Sequence, residues 1–345
     1  MNKSLRYHWH VVRALFIARN KEFYRDKGTL GWSFLMPFVV IAAIGFAFSG
    51  NDQSMFKVGV YLPSSPEPQL ELPFLQESYI DRIDYRDFDV ALERLKHFQL
   101  DLLLSAGQPG SYWINDNSRN GKVIETLLLG SKTRSMERNT VTGREIRYVD
   151  WLIPGILGMN FMFGALFGIG YVIVRYRKNG VLKRIQVTPV TPLQFLTAQV
   201  LSRMFVLITS GTIIYIGCDL LFGFVMLGSY LDLLIVGLVG AFSMISMGLI
   251  ISSRTASEEL ANGLLNLLSF PMMLISEVWF SLDDAPQWLH VISNCLPLTH
   301  MVKAAREIML NGTGLEALGY HIWILVIMCF VFLILASILF RWNEP

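Results

Sequence analysis

What most constrains this chain is that its apolar residues come in blocks long enough to cross a membrane. A helix needs about 20 mostly apolar residues to span the hydrocarbon. Such blocks run from Leu30 to Ser49, from Trp151 to about Val174, from about Arg203 to Phe224, from Leu231 to Ser252, from Leu260 to Phe280 and from His321 to Phe340. Six spans are therefore expected. Composition agrees: 16% of the 345 residues are charged, against about 25% in a typical soluble domain. A soluble chain would instead distribute its apolar residues by helix or strand period.

The first block resembles a signal peptide, because Ala47-Phe48-Ser49 looks like a small-residue cleavage site. The long basic stretch before Leu30 and the length of the block exceed a signal's n- and h-regions, so it reads as an uncleaved span. Orientation follows from Lys and Arg in the short flanks. Lys3, Arg6, Arg13, Arg19, Lys21, Arg25 and Lys27 precede the first span. Arg175, Arg177, Lys178, Lys183 and Arg184 lie between the second and third, Arg254 between the fourth and fifth, and Arg341 after the last. Six spans put all of them on one side, so both termini are expected in the cytoplasm. Within residues 1–29, Trp9, Val12, Phe16 and Phe23 recur at roughly helical spacing among basic residues. That pattern predicts a helix lying in the headgroup layer; a solvated basic tail is the other reading.

Residues 50–149 form the one long hydrophilic stretch, and they are expected to fold as a small extracytoplasmic α/β domain. Phe56, Val58, Val60 and Leu62 alternate as in a strand, with Pro63 and Pro66 ending it. Phe88, Leu92, Leu95 and Phe98 share a helical face. Leu102–Leu104 and Tyr112-Trp113-Ile114 read as further strands, and Gly121 to Met136 as a helix leading back to the membrane. His97 has no catalytic companion in this stretch.

The usual chemistries leave no signature. Gly121-Lys122 lacks both the leading glycine and the following Ser or Thr of a phosphate-cradling loop, so the chain is not expected to bind ATP or to be an enzyme. HExxH and GxSxG are absent. Cys218, Cys295 and Cys329 have neither metal-ligand nor disulfide spacing. A net charge of +2 gives no basic field for nucleic acid. Two acids stand in apolar blocks: Asp219 in the third and Glu277 in the fifth. A charge at a helix centre costs about 2.5–3.5 kcal/mol on insertion. Either these two reach the external interface, or they line a polar substrate route. Gly164 and Gly168 form a GxxxG pair in the second span, a helix-packing signal.

The connection at 176–191 is the most informative segment. Asn179-Gly180 is a turn signal, and Val181, Leu182, Ile185 and Val187 give the following short helix an apolar side beside Lys183 and Arg184. Pro189 stops it. Thr191, Pro192 and Gln194 then make a capping box with proline at the first helical position, so a new helix runs from Pro192 into the third span.

With its Gly180-Val181-Leu182-Lys183-Arg184-Ile185 and Val187-Thr188-Pro189-Val190, this loop resembles that of the ABC-2 type permeases, the membrane subunits of a class of ATP-driven exporters. Further matches are Arg25-Asp26, Pro271, Pro286-Gln287-Trp288-Leu289, Leu296-Pro297-Leu298-Thr299 and Ala304 through Gly312. The resemblance covers essentially the whole chain. It implies that Gly180, Val181, Leu182, Lys183, Arg184, Ile185, Thr188 and Pro189 form a coupling loop on a separate ATPase subunit, which holds the ATP and Mg. It implies short re-entrant helices between Glu277 and Leu310 and a second permease chain, identical or paralogous, paired through the first and fifth spans. It also implies a bacterial inner-membrane exporter of drug-like or lipid-like substrates, in some cases with a periplasmic adaptor. Two departures stand out: Lys183 reverses the family's usual glutamate, and Glu277 replaces a small residue, usually glycine. A membrane-anchored sensor or adaptor whose external domain binds a ligand is the alternative.

Overall fold

A computed structural model describes residues 3–47, 56–62, 73–105, 111–131, 136–143, 146–255, 257–282 and 285–339. The chain divides into two compact units, one of residues 1–45 with 149–345 and one of residues 46–148. At the N-terminus, α1 (Lys3–Arg25) ends at Asp26, and α2 (Lys27–Ala47) follows with Pro37 inside it. Val12 and Asn20 of α1 are buried while Trp9 is 60% exposed, so one stripe of this helix packs on protein.

The unit of residues 46–148 holds a five-stranded sheet in the order β2-β1-β3-β4-β5. Its strands are β1 (Phe56–Tyr61), β2 (Ile80–Tyr85), β3 (Leu102–Ser105), β4 (Ser111–Asn115) and β5 (Glu137–Val141). β1 runs parallel to β2 and β3, β4 is antiparallel to β3, and β5 is parallel to β4. Alternation sorts the side chains to two faces. Val58, Val60, Leu102 and Leu104 turn toward Ile124 and Leu128 of α4 (Arg119–Gly130). Leu103 turns the other way, toward Ala91 and Leu95 of α3 (Phe88–Lys96). Gly59 lies on that second face, where a Cβ would come within 2.8 Å of Leu100.

This unit corrects the expectations in three places. Phe98 is not on the helical face: α3 stops at Lys96, and Phe98 sits at φ 61°. The second helix runs from Arg119 to Gly130 rather than on to Met136, and Met136 instead leads into β5. β2 and β5 were not anticipated. They are the two edges of the sheet, and their polar sequences IDRIDY and ERNTV carry no buried-strand pattern. Charged edges also protect a sheet from pairing with other chains. Pro63 and Pro66 lie outside the described residues.

The remaining helices form the other unit. α5 (Tyr148–Ala165) passes through a π-helical turn, Leu166–Tyr171, into α6 (Val172–Lys178). Then come α7 (Val181–Gln186), α8 (Pro192–Phe222), α9 (Tyr230–Arg254), α10 (Glu258–Ile275), α11 (Gln287–Asn294), α12 (Pro297–Arg306) and α13 (Gly319–Leu339). Among the described residues four helical stretches are long and apolar enough to cross a membrane: Tyr148–Lys178, Pro192–Phe222, Tyr230–Arg254 and Gly319–Leu339. The other two expected spans, in α2 and α10, are not among these four. In α2 the apolar run is Phe34–Ala43. The fifth block does not continue as helix to Phe280: α10 ends at Ile275, and Glu277 reverses the backbone. The helices pack through small and hydroxyl residues, as membrane interfaces do. Ser246 lies 3.5 Å from the Cys329 sulfur, and Ser253 donates to the Ala336 carbonyl at 3.1 Å. Cys218 and Cys329 are buried free thiols, and Cys295 is an exposed one.

Candidate functional site

The connection between α6 and α8 is a short helix, α7, with a turn before it and a cap after it. Gly180 sits at φ 68°, the left-handed region that glycine enters without cost, and starts α7 there. Leu182 is the buried residue of α7. Lys183, Arg184, Thr188 and Pro189 are exposed, and Val181 and Ile185 are half-buried. Val187, expected on the apolar side, lies beyond α7 and is 88% exposed, so Leu182 is the loop's main anchor. Beyond the loop both halves of the Thr191–Gln194 capping box form, and Pro192 opens α8. α8 is therefore continuous from the loop into the third apolar block.

The base of the loop is tied to two other elements. Arg177 is buried and donates to the Thr255 carbonyl at 2.6 Å, in the connection between α9 and α10. Tyr171 donates to Glu258 at 2.8 Å, and Lys178 lies 3.7 and 3.8 Å from Glu258 and Glu259, at the start of α10. On the other side Arg175 is 2.6 Å from Glu22 of α1, and the Tyr176 hydroxyl also donates to Glu22. Burial alone would raise the Glu22 carboxyl. The hydrogen bond from Tyr176 and the charges of Arg19 and Arg175 outweigh it, and its pKa lies below the ordinary value. The end of α6, from which α7 continues, is thus tied to α1 and to the start of α10 by charged contacts. The sequence reading missed Glu22, Tyr176, Arg177 and Thr255 as parts of this assembly. The basic residues were visible as an orientation signal, but their partners lie far away in the chain.

Glu277 occupies a second built site. It is 93% buried, stands at φ 56°, and faces two cations of α12. Lys303 Nζ lies 2.9 Å from Oε1, and an Arg306 nitrogen lies 3.5 Å from Oε2. Arg306 also donates to the Glu277 carbonyl at 2.7 Å, and its guanidinium covers the Trp151 ring of α5 at 3.7 Å. Beside it Thr299 donates to Ser276 at 2.9 Å, and Ser293 donates to the Ile275 carbonyl at 2.9 Å. The end of α10 is thereby fastened to α11, α12 and α5. The left-handed backbone accounts for the glycine expected here from the resemblance.

Asp219 is exposed on the last turn of α8, where its carbonyl accepts from Gly223 at 2.8 Å. An apolar pocket of about 260 Å³ lies between α5, α8, α9 and α12, lined by residues that include Phe161, Tyr215, Tyr230 and Met301. Neither Asp219 nor Glu277 lines it. Among the described residues no group of three or more His, Cys, Asp or Glu could hold a metal ion.

A family described as ABC-2 family transporter protein matches residues 27–338. ABC transporter G family member 20 of Dictyostelium discoideum is 22% identical across 97% of the chain, which covers 51% of that protein. The chain thus spans about half the length of that relative. The probable multidrug ABC transporter permease YbhR of Escherichia coli is 22% identical, over 70% of the chain and 67% of its own length. The corresponding permease YbhS is 20% identical over 96% of the chain and 95% of its own length.

Proposed function

The chain belongs to the ABC-2 family of transporter proteins, and from that premise we propose that it is the permease of an ATP-driven exporter, powered by an ATPase on another subunit. The observation that carries this reading is the α7 loop. It presents Lys183, Arg184, Val187, Thr188 and Pro189 outward, while its base is tied to α1 and α10. An exposed basic helix that continues a segment tied to two other helices is fit to receive a push from a partner. In this reading Gly180, Val181, Leu182, Lys183, Arg184, Ile185, Thr188 and Pro189 dock on the ATPase, which binds ATP and Mg. Lys183 and Arg184 call for acidic residues on the docking cleft.

The same proposal makes α2 and α10 the first and fifth of six spans, with both termini cytoplasmic in a bacterial inner membrane. The sheet unit, residues 50–149, then stands on the opposite side, and α11 and α12 are re-entrant helices there. A second permease chain, identical or paralogous, pairs with this one; a periplasmic adaptor is a further partner in some exporters of this kind. The substrate is hydrophobic or amphiphilic, in keeping with the apolar pocket lined by Phe161 and Met301. Asp219 and Glu277 are the candidate acids of the substrate pathway, near its outer end.

The deciding experiment is transport in sealed vesicles containing the permease with its ATPase. Substituting Lys183→Glu together with Arg184→Glu should weaken docking roughly tenfold or more and uncouple ATP hydrolysis from export. Transport that persists when the ATPase is deleted would overturn the proposal. Signalling by the sheet unit without any ATPase would instead favour a membrane-anchored sensor.

A further inference from the structure

Arg203 lies at the start of the third apolar block, on α8, and its surroundings do not neutralise it. Its Nε donates to the Gly164 carbonyl on α5, and its guanidinium stands 5.8 Å from the centre of the Phe23 ring of α1. A Cβ at Gly168 would overlap the Arg203 guanidinium, and one at Gly164 would overlap Leu207 and crowd Arg203, so the GxxxG pair makes a notch that takes two side chains of α8, one of them an arginine. Arg19 of α1 enters from the other side. It donates to the Gly168 carbonyl at 3.4 Å, to Tyr176 at 3.2 Å, and lies 2.8 Å from Glu22. These carbonyls sit at and just before the π turn Leu166–Tyr171; such turns mark functional positions often.

The charges do not balance. Arg19, Arg175 and Arg203 gather here, and the carboxylate among them is Glu22, shared by Arg19 and Arg175. Arg203 has no carboxylate partner among the described residues, and the charge of Arg19 bears on it. Apart from Nε its N–H donors are not taken up by other described groups. Arg203 is half-buried, and the N–H donors left over are accessible at the protein surface, open to an anion from outside the chain. The seam beside it is apolar: Phe16 meets Phe205 edge to face at 5.8 Å, and Ile17 and Phe205 are 41% and 48% exposed.

We propose that Arg203 and Arg19, set in the Gly164–Gly168 notch, bind the phosphate of an anionic phospholipid, whose acyl chains lie along the α1–α8 seam at Ile17 and Phe205. Guanidinium matches phosphate with paired N–H donors, and basic pockets between spans take lipid headgroups on the cytoplasmic side. The choice of a lipid over a free phosphate follows from the apolar seam. Which leaflet supplies it rests on the proposed orientation.

The test uses the purified full chain in nanodiscs of phosphatidylcholine, phosphatidylglycerol or an equimolar mixture, with retained lipid counted by native mass spectrometry. The wild-type chain should retain phosphatidylglycerol about tenfold over phosphatidylcholine, Arg203→Gln should lose that preference, and Arg203→Lys should keep part of it. Equal preference in wild type and Arg203→Gln overturns the proposal, as does the absence of any wild-type preference. A thermal shift produced by inorganic phosphate in phosphatidylcholine alone would assign a free anion and overturn the lipid. Should Arg203→Gln not fold, photoactivatable phosphatidylglycerol bound to the wild type decides. It should label residues 16–23 and 201–205, and labelling confined elsewhere overturns the site. None of these measurements involves ATP, so their failure would leave the permease reading standing.

Discussion

Glu277 holds a backbone conformation that side chains avoid. At φ 56° a residue with a Cβ costs about 1–2 kcal/mol more than glycine. Its carboxylate offsets this by meeting Lys303 and Arg306 in a buried setting. Glu277→Gly removes the ion pairs but also the strain, and it keeps the carbonyl that Arg306 binds. Glu277→Ala removes the ion pairs and keeps the strain. The alanine variant should therefore be the less stable by about 1 kcal/mol, measured by thermal unfolding of the purified chain in detergent. Glu22 gives a pH signature. Its folded carboxyl is depressed, so its contribution is present above the unfolded value of 4.5 and is lost as pH falls through the folded one. The stability gap between wild type and Glu22→Gln should be open at neutral pH and should close on acidification below 4.5. At this scale the sequence singled out Glu277 and Asp219 because acids stand out in apolar blocks; the structure places Glu277 among ion pairs and leaves Asp219 exposed. It passed over Arg203, which stood at a block's edge like any flanking arginine. Nothing in the sequence ties it to Gly164 and Gly168; only the packing of α8 on α5 brings them together.

At the scale of elements, the connection from α6 to α8 was legible almost in full. Its turn, stop and cap are local devices, written in adjacent residues: Asn179-Gly180, Pro189 and Thr191-Pro192 with Gln194. The structure adds that Gly180 is held at φ 68° and that Leu182 is the anchor. Gly180→Ala should strain the loop by about 1 kcal/mol, and Thr191→Ala should cost α8 its cap, also about 1 kcal/mol. Both should lower ATP-coupled transport in vesicles while leaving the protein folded; a variant with unchanged coupling would show that α7 position does not matter. Edge strands were the elements least legible. β2 and β5 each have one neighbouring strand and polar faces, so alternation has little to mark. The end of α10 was misplaced for another reason: the apolar run continues past Ile275, while the backbone turns at Glu277.

At the scale of the whole molecule, the sheet unit has its own cores on both faces of the sheet. Residues 50–149 produced alone should therefore fold cooperatively, and Leu128→Ala should cost about 2–5 kcal/mol, both checked by circular dichroism during denaturation. The apolar blocks determined by themselves that this is a membrane protein, because about 20 apolar residues in succession satisfy a bilayer and little else. The capping residues determined where the loop helix and α8 begin, because caps act between neighbours. Only the tertiary structure decided which charges meet. Glu22 with Arg175, Arg177 with the Thr255 carbonyl, Glu277 with Lys303 and Arg203 in the glycine notch join residues far apart in the chain. A charge's partner depends on which helices pack side by side, and helix periodicity names the face that is buried without naming the neighbour that buries it.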